Sequence, residues 1–318
     1  MPDWLLVLLG LAALVAGAEA LVRGGSRLAA TLGVPPVLVG LTVVSIGTSA
    51  PELAIGVQSA LAGEGGLAVG NIAGTNVVNL LLILGLSAAI RPLELHARTI
   101  RLDLPAMVLV ALLVTALAQD GALTRLEGLV LVALALAYTL VLVRLARRER
   151  PVVAEEYARE YGETDPPGRL ALDSLLLLGG IAVVVLGSDL LVDGASGIAR
   201  AQGVSEAVIG LTIVAVGTSA PELVTTLVST VRGDRDIAVG NLLGSSVFNL
   251  LLILGATAAV ADVPVEPALR HVDLPVMTLV ALLCVPVFRS GRRVNRAEGL
   301  GFVALYGAYL AHLLLERV

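Results

Sequence analysis

The chain has 318 residues, of which 57% are hydrophobic and only 15% are charged, and its mean hydropathy is +0.93. A soluble globular protein of this size carries more polar surface, so the composition excludes that class and predicts a helical protein that crosses the membrane several times. The net charge of −5 excludes nothing by itself, and the single cysteine, Cys284, cannot form a disulfide within the chain.

Polar breaks divide the chain into ten predicted membrane spans joined by short loops. In chain order they lie near residues 4–22, 34–62, 67–90, 102–118, 126–145, 172–192, 204–231, 237–260, 273–288 and 297–315. The longest polar stretch carries charges of both signs and a Pro-Pro pair, which is typical of a solvated linker. We therefore predict an all-α membrane protein with a first five-helix unit (1–146), a cytoplasmic linker (147–169) and a second five-helix unit (170–318).

The two units repeat one sequence pattern at a shift of 170 residues. VGLTVVSIGTSAPELA from Val39 matches IGLTIVAVGTSAPELV from Ile209, and AVGNIAGTNVVNLLLILG from Ala68 matches AVGNLLGSSVFNLLLILG from Ala238. Because each unit has an odd number of spans, the second must enter the membrane from the opposite side. The sequence thus predicts two inverted repeats related by a pseudo-two-fold axis in the membrane plane.

Arginine sets the predicted orientation, since all 21 basic residues are Arg. Four lie on the N-terminal side of the predicted spans, and the other 17 lie on the opposite side. Cytoplasmic loops are enriched in basic residues, so the side with 17 is predicted to face the cytoplasm. We expect a multi-pass protein of the cell (inner) membrane with both termini outside the cytoplasm.

The motif GTSAPE occurs at residues 47–52 and again at 217–222, each time inside an apolar segment. Proline has no N–H, so Pro51 and Pro221 release carbonyls of the preceding turn, which a membrane tolerates only where they are buried in protein or line a wet cavity. A helix kink with a satisfied glutamate would explain one copy. Two matched ionisable residues, which would meet near the midplane, favour a binding site. Carbonyls, hydroxyls and carboxylates are hard oxygen ligands that suit Na⁺ and Ca²⁺.

The next span of each unit has polar residues four positions apart, so that they share one helical face. They are Asn71, Thr75 and Asn79 in the first unit and Asn241, Ser245 and Asn249 in the second. For Asn79 and Asn249 we favour cation coordination or orientation of the glutamates, with interhelical hydrogen bonding as the alternative. The glycines at 70, 74, 240 and 244 are interpreted as close helix packing.

Other polar residues have simpler interpretations. Glu19 and Asp189 are expected to make helix-end contacts or to line a cavity rim, and Asp103 and Asp273 are expected to be helix N-caps. His96 and His271 are expected in surface loops. The sequence has no Walker loop, no Rossmann glycine pattern and no His/Cys metal cluster, so we expect no enzyme.

Taken together, these motifs resemble the paired alpha-repeats of the cation/Ca²⁺ exchanger superfamily, and most closely its compact prokaryotic sodium/calcium exchanger-like branch. The resemblance implies ten helices in two inverted repeats with four central cation sites. It implies that Ca²⁺ is held by Glu52 and Glu222 with carbonyls of Thr48 and Thr218, and that Asn79 and Asn249 line the middle position. It also implies flanking Na⁺ sites formed by Ser49, Thr75, Ser219 and Ser245 with carbonyls of Ser45 and Ala215. Some relatives have Asp where this chain has Asn249, which weakens the resemblance to K⁺-dependent exchangers.

We therefore expect a secondary active antiporter that exchanges Ca²⁺ for Na⁺. A Ca²⁺/H⁺ antiporter on the same scaffold is the first alternative, and a cation channel or a structural membrane protein are the others. The expected partners are the transported ions and the lipid bilayer, with no cofactor and no nucleic acid. An apolar exterior fits a monomer and is also compatible with a dimer.

Overall fold

The computed structural model describes residues 1–161, 168–203 and 215–317, and helices form most of this part of the chain. The helices are α1 Asp3–Leu32, α2 Pro36–Thr48, α3 Ala50–Ala62, α4 Gly65–Ile90, α5 Thr99–Asp120, α6 Arg125–Tyr161, α7 Gly168–Ala201, α8 Ala215–Thr218, α9 Ala220–Arg232, α10 Arg235–Val260, α11 Leu269–Arg289 and α12 Arg296–Arg317. The described residues also form four two-residue strands: β1 Leu93–Glu94, β2 Ala122–Leu123, β3 Val263–Pro264 and β4 Arg293–Val294. The prediction of an all-helical membrane protein is confirmed.

Seven helices of the described residues are long and apolar enough to cross a membrane, and the bent pair α2 and α3 adds an eighth span. The other two predicted spans coincide with α12 and with the segment that ends in α9. Residues 204–214 of that segment lie outside the described part. The count of ten therefore stays a prediction.

Three helices are longer than the hydropathy pattern predicts, and one of them, α7, extends to Ala201 although its span was predicted to end near residue 192. The first span was predicted to end near residue 22, but α1 continues to Leu32 and ends at Gly33, whose φ of 62° is left-handed. The Gly33 N–H bonds to the carbonyls of Ala29 and Ala30, as in a glycine C-cap. Helix α6 likewise continues past the predicted span into the linker, as far as Tyr161. Residues 162–167 of the linker lie outside the described part.

The first helices of the two units, α1 and α7, pack together along their length through glycines. A Cβ on Gly17 would lie 2.8 Å from the backbone N of Val184, and one on Gly180 would lie 2.5 Å from the backbone N of Leu21. Gly10 approaches the carbonyl of Gly187 in the same way. As the residue numbers along α1 increase, the numbers of the α7 residues that they contact decrease, so the two corresponding helices run antiparallel.

The four short strands form two antiparallel ribbons. Strand β1 pairs with β4, and β2 pairs with β3. At the shift of 170 residues β1 corresponds to β3, and β2 falls at 292–293, which overlaps β4 by one residue. Each ribbon therefore joins a strand of one unit to a non-corresponding strand of the other.

Helices α4 and α10 form the centre of the molecule. Their apolar windows are 78% and 94% buried, against 28–44% for the other continuous spans. Each contains a π-helical turn, Val78–Ile83 in α4 and Asn249–Ile253 in α10. The same core includes Cys284 of α11, which is fully buried. The described residues also include π turns in α2, α5 and α11, and π turns inside α-helices are frequent at functional sites.

The predictions that Asp103 and Asp273 are N-caps are wrong. Each ends a π turn inside a continuous helix, has right-handed helical dihedrals and makes no side-chain cap hydrogen bond. The carboxylate of Asp103 accepts a hydrogen bond from Tyr138 at 3.0 Å, and that of Asp273 accepts one from Tyr309 at 3.4 Å. Asp103 therefore connects the start of α5 to α6, and Asp273 connects the start of α11 to α12.

The prediction for the two histidines is half correct. His96 lies in an exposed loop, where its ring is 2.8 Å from the carboxylate of Asp236. His271 is exposed but lies in the π turn Leu269–Asp273 rather than in a loop, because α11 begins before the apolar segment does.

Candidate cation site

Both GTSAPE motifs lie where a helix is interrupted. Helix α2 ends at Thr48 and α3 begins at Ala50, with an angle of 44° between the two. The intervening Ser49 has φ −84° and ψ 14°, and the corresponding Ser219 has φ −87° and ψ 4°. The proline of each motif lies in the first turn of the new helix, where its missing N–H breaks no hydrogen bond. The motif thus ends one helix and starts the next.

Glu52 and Glu222 lie in the first turns of α3 and α9, and both are fully buried. Helix N-termini carry unpaired N–H groups and a partial positive charge, which favours a carboxylate at this position. The local sequence therefore places each acid where a helix end offsets part of the cost of burying its charge.

The two units meet directly at Glu222. The hydroxyl of Ser49, from the first unit, donates a hydrogen bond to Glu222 Oε1 at 3.0 Å. The hydroxyls of Thr48 and Ser245 lie beside the same carboxylate, and Glu52 is close enough for the two acids to repel one another. Neither Oε atom of Glu52, nor Oε2 of Glu222, has a hydrogen-bond partner among the described residues. Oxygen atoms from both units therefore converge at one buried point.

Asn79 and Asn249 lie at the π turns of α4 and α10, and both side chains are fully buried. Within the described part of the chain, neither their amide nitrogens nor their amide oxygens have hydrogen-bond partners. A buried amide without partners costs free energy, so such atoms usually have a function. A π turn also displaces the ordinary helical hydrogen bonds, which gives these positions backbone oxygens with altered pairing.

The remaining predicted ligands are placed as follows. Thr75 and Ser245 are buried one turn before the two asparagines, and the Ser219 and Ser245 hydroxyls have no partner among the described residues. Thr218 is buried at the end of α8. The Ser45 hydroxyl already donates to the carbonyl of Leu41 at 2.7 Å, which leaves its backbone carbonyl as the predicted donor. Ala215 begins α8, and its side chain lies outside the described part.

Three contacts near the motifs were not predicted. Ser188 of α7 donates a hydrogen bond of 2.6 Å to the carbonyl of Gly217, one of those that Pro221 was expected to release. Asn241 bonds to Thr226 and to Thr48. Asn241 was recognisable from its spacing, whereas no local pattern marks Ser188 or Thr226 because both contacts depend on how helices pack.

Glu19 takes no part in this cluster and lies within α1. Its carboxylate, which is 35% exposed, forms ion pairs with Arg23 and with Arg232 at the end of α9. Glu19 was predicted near a helix end, but α1 continues for more than three turns beyond it. The ion pair with Arg232 connects α1 to the second unit.

The cluster offers two carboxylates and several neutral oxygens. In the described part of the chain, no group of three or more His, Cys, Asp or Glu side chains could hold a metal ion. Carboxylate, hydroxyl and carbonyl oxygens together are the donor set of hard cations.

The fold and this cluster define a multi-pass helical membrane protein with a buried, oxygen-lined acidic centre. The chain belongs to the sodium/calcium exchanger protein family, whose model matches it over residues 3–144 and again over 173–315. The chain is 38% identical over 315 residues to inner membrane protein YrbG of Escherichia coli (strain K12), covering 97% of this chain and 94% of YrbG.

Two further relatives carry more informative names. The sodium/calcium exchanger MaX1 of Methanosarcina acetivorans is 30% identical over 343 residues, covering 98% of each chain. The solved structure of the sodium-calcium exchanger NCX_Mj, soaked without Na⁺ and Ca²⁺, superposes with a TM-score of 0.84 at 29% identity and covers 98% of each chain. Family and structure together support cation/Ca²⁺ antiport, and these relatives are exchangers rather than enzymes.

Proposed function

We propose that this protein is a secondary active antiporter that exchanges Ca²⁺ for Na⁺ across the cell membrane by alternating access. The observation that carries the proposal is the fully buried contact between Ser49 of one unit and Glu222 of the other, beside a second buried carboxylate, Glu52. A site built from both units can change its access when the units move relative to one another.

The charge of the cluster explains why two cations would compete for it. Two ionised carboxylates give a charge of about −2. One Ca²⁺ neutralises this charge, and so do two Na⁺ or two H⁺. The site cannot hold Ca²⁺ together with the Na⁺ or H⁺ that would replace it. Buried charge without a counter-ion is costly in a membrane, so the neutralised protein should change state more easily than the empty one.

We assign the roles in the site as the resemblance implies. Glu52 and Glu222 bind Ca²⁺ with the carbonyls of Thr48 and Thr218. The Na⁺ positions on either side use hydroxyls and carbonyls of the remaining ligands, and Asn79 and Asn249 line the middle. The unpartnered oxygens of Glu52 and of the two asparagines fit these roles.

Two features support a pair of inverted repeats with ten spans. The corresponding helices α1 and α7 run antiparallel. At the shift of 170 residues, Gly10 corresponds to Gly180 and Gly17 corresponds to Gly187, so the contact Gly10–Gly187 is the symmetry equivalent of the contact Gly17–Gly180. The ribbons β1–β4 and β2–β3 exchange in the same way. Both relations are expected for an axis in the membrane plane.

We further propose that both termini face the outside and that the protein functions as a monomer in the cell membrane. The arginine distribution supports the orientation. The name of the YrbG relative supports the inner membrane. The exposed apolar side chains of the outer helices fit contact with lipid.

The second candidate is a Ca²⁺/H⁺ antiporter, because two protons would also neutralise the two carboxylates. A cation channel is disfavoured because both acids are sealed from solvent, with no exposed surface on either.

The test is uptake of radiolabelled Ca²⁺ into liposomes that contain purified protein and are loaded with either Na⁺ or choline at matched pH. We expect uptake that depends on internal Na⁺ and is lost in Glu52→Gln and in Glu222→Gln. Uptake that ignores Na⁺ and follows a pH gradient would select the proton antiporter. Flux that needs no counter-ion at all would select the channel.

A further inference from the structure

A buried amide connects the two units beside the acidic cluster. Asn241 of α10 is fully buried, and its Nδ2 donates a hydrogen bond to Thr226 Oγ1 at 3.0 Å. Its Oδ1 accepts a longer hydrogen bond, of 3.4 Å, from Thr48 Oγ1. Thr226 lies one turn after Glu222 on α9, and Thr48 is the last residue of α2. The amide therefore joins the broken end of the first unit to the glutamate helix of the second.

The corresponding place in the first unit is built differently. There the asparagine is Asn71, and the position of Thr226 is occupied by Gly56, which has no hydroxyl. The Nδ2 of Asn71 has no hydrogen-bond partner among the described residues. A Cβ at Gly56 would lie 2.5 Å from Thr257 Oγ1, so a larger residue at this position requires Thr257 to move. The hydrogen bond from the asparagine to the helix that carries the glutamate is thus present in the second unit, between Asn241 and Thr226, and missing in the first.

We propose that Asn241 is a positioning residue that holds Thr48 in place for the cation, and that Thr226 fixes the orientation of the Asn241 amide. The inference rests on the proposed function, in which the carbonyl of Thr48 is a ligand. The Thr48 hydroxyl is 3.4 Å from both Asn241 Oδ1 and the carbonyl of Ser45, and it also lies beside the Glu222 carboxylate, so its one proton is shared among three acceptors. These long contacts alone hold Thr48 weakly, so the Asn241 amide must itself be fixed, and the hydrogen bond to Thr226 fixes it.

The physical reason is the break in the helix. Thr48 is followed by Ser49 and Pro51, so the hydrogen-bond ladder that would hold its carbonyl in a continuous helix ends here. A ligand must be held within about 0.5 Å of its binding geometry to contribute fully. The Thr226–Asn241–Thr48 bridge supplies this restraint in the first unit, and the corresponding restraint from Gly56 is missing in the second. The two halves of the site should therefore differ in rigidity although their ligands are nearly the same.

The test compares variants of Thr226, which can lose its hydroxyl without losing volume. Thr226→Val removes the acceptor for Asn241, and Thr226→Ser keeps it. Thr230→Val is the matched control, because Thr230 is buried one turn further along α9 and its hydroxyl donates to the backbone carbonyl of Thr226. Asn241→Ala and Asn71→Ala complete the set.

Two quantities are measured: the Ca²⁺ concentration for half-maximal exchange in liposomes, and the rise in melting temperature that Ca²⁺ produces in detergent. We expect Thr226→Val and Asn241→Ala to raise the half-saturating concentration about five- to tenfold while the maximal rate changes less than about twofold. Thr226→Ser and Thr230→Val should remain within about twofold of the wild type, and Asn71→Ala should have a smaller effect than Asn241→Ala.

The inference is overturned if Thr226→Val lowers the melting temperature without Ca²⁺ but leaves the half-saturating concentration unchanged, because the bridge would then only pack helices. Equal effects of Asn71→Ala and Asn241→Ala would overturn the asymmetry. Failure of the proposed function is seen separately, as a wild type without Na⁺-dependent uptake. The Ca²⁺-induced melting shift still tests the bridge in that case, because it requires binding and no counter-ion.

Discussion

The two units agree at the acidic centre and differ in the helices that lead away from it. Along α9 the positions that follow Glu222 on one face are Thr225, Thr226, Ser229 and Thr230, all fully buried. The corresponding face of α3 carries Ile55, Gly56, Ser59 and Ala60. A polar stripe thus runs from Glu222 to the end of α9, whereas the path from Glu52 along α3 is mostly apolar.

The ends of the same two helices differ as well. Arg232, at the end of α9, pairs with Glu19 and with Asp234, while its counterpart at the end of α3 is Ala62. Two inverted units with identical sequences would give inward- and outward-open states of equal free energy. In the proposed alternating-access cycle, residues that differ between the units would set which state is favoured, and Arg232 at the end of α9 is one of them.

The largest expected effect tests what the units share. Replacing Glu52 or Glu222 with Gln removes one of the two buried charges, so Ca²⁺ can no longer be neutralised. We expect each variant to reduce Ca²⁺ uptake by at least about a hundredfold, which corresponds to roughly 2.7 kcal/mol. Liposome flux measures the loss, and the exposed Glu64→Gln serves as the control. If only one of the two variants lost activity, the units would not contribute equally to the site.

The next effect concerns the contact between corresponding helices. A Cβ on Gly180 would lie 2.5 Å from the backbone of Leu21, so Gly180→Ala should destabilise the protein by about 3 kcal/mol. Gly179→Ala is the matched control, because no described atom lies within 4 Å of a Cβ at that position. Melting in detergent should show a clear drop for the first variant and no drop for the second. Similar melting temperatures would mean that α1 and α7 do not pack through Gly180.

A smaller effect separates the two serines of the motifs. Ser49 donates a hydrogen bond to Glu222, while the Ser219 hydroxyl has no partner within the described residues. Ser49→Ala should therefore lower the stability of the cation-free protein by about 1.5 kcal/mol. Ser219→Ala should leave it nearly unchanged. Melting temperatures in a chelator without Na⁺ provide the measurement, and equal shifts would show that the two motifs are equivalent without cations.

The smallest effect is expected from the ion pair at the end of α9. Arg232 and Glu19 are both about one-third exposed, and such pairs contribute less than about 1 kcal/mol. Arg232→Gln should shift the melting temperature slightly at low salt and not at about 1 M salt, where exposed charges are screened. A large loss that persists in high salt would show that Arg232 stabilises the fold by packing rather than by charge.

The sequence was sufficient to predict the features that depend on composition and local pattern. The helical membrane class follows from the apolar runs, and the two helix breaks follow from Pro51 and Pro221. The true end of α1 was also readable, because Gly33 followed by Pro35 is a helix stop signal that the hydropathy pattern did not use.

Features that depend on packing were not predictable. Asp103 precedes Leu-Pro like a cap, but its partner Tyr138 is 35 residues away and lies on another helix. The π turns at Asn79 and Asn249 leave no mark in an apolar run. The hydrogen bond from Ser49 to Glu222 requires two segments 173 positions apart to meet, which only the packing of the units determines.

The burial of Cys284 has a practical consequence. The only thiol of the chain is fully enclosed in the core, so a membrane-impermeant maleimide should leave the native protein unlabelled. A cysteine introduced on the surface would then report its own side of the bilayer without any need to remove the native one. Ala62 and Arg232 correspond at the shift of 170 residues, and both are exposed. In sealed vesicles of one orientation, Ala62→Cys and Arg232→Cys should be labelled from opposite sides.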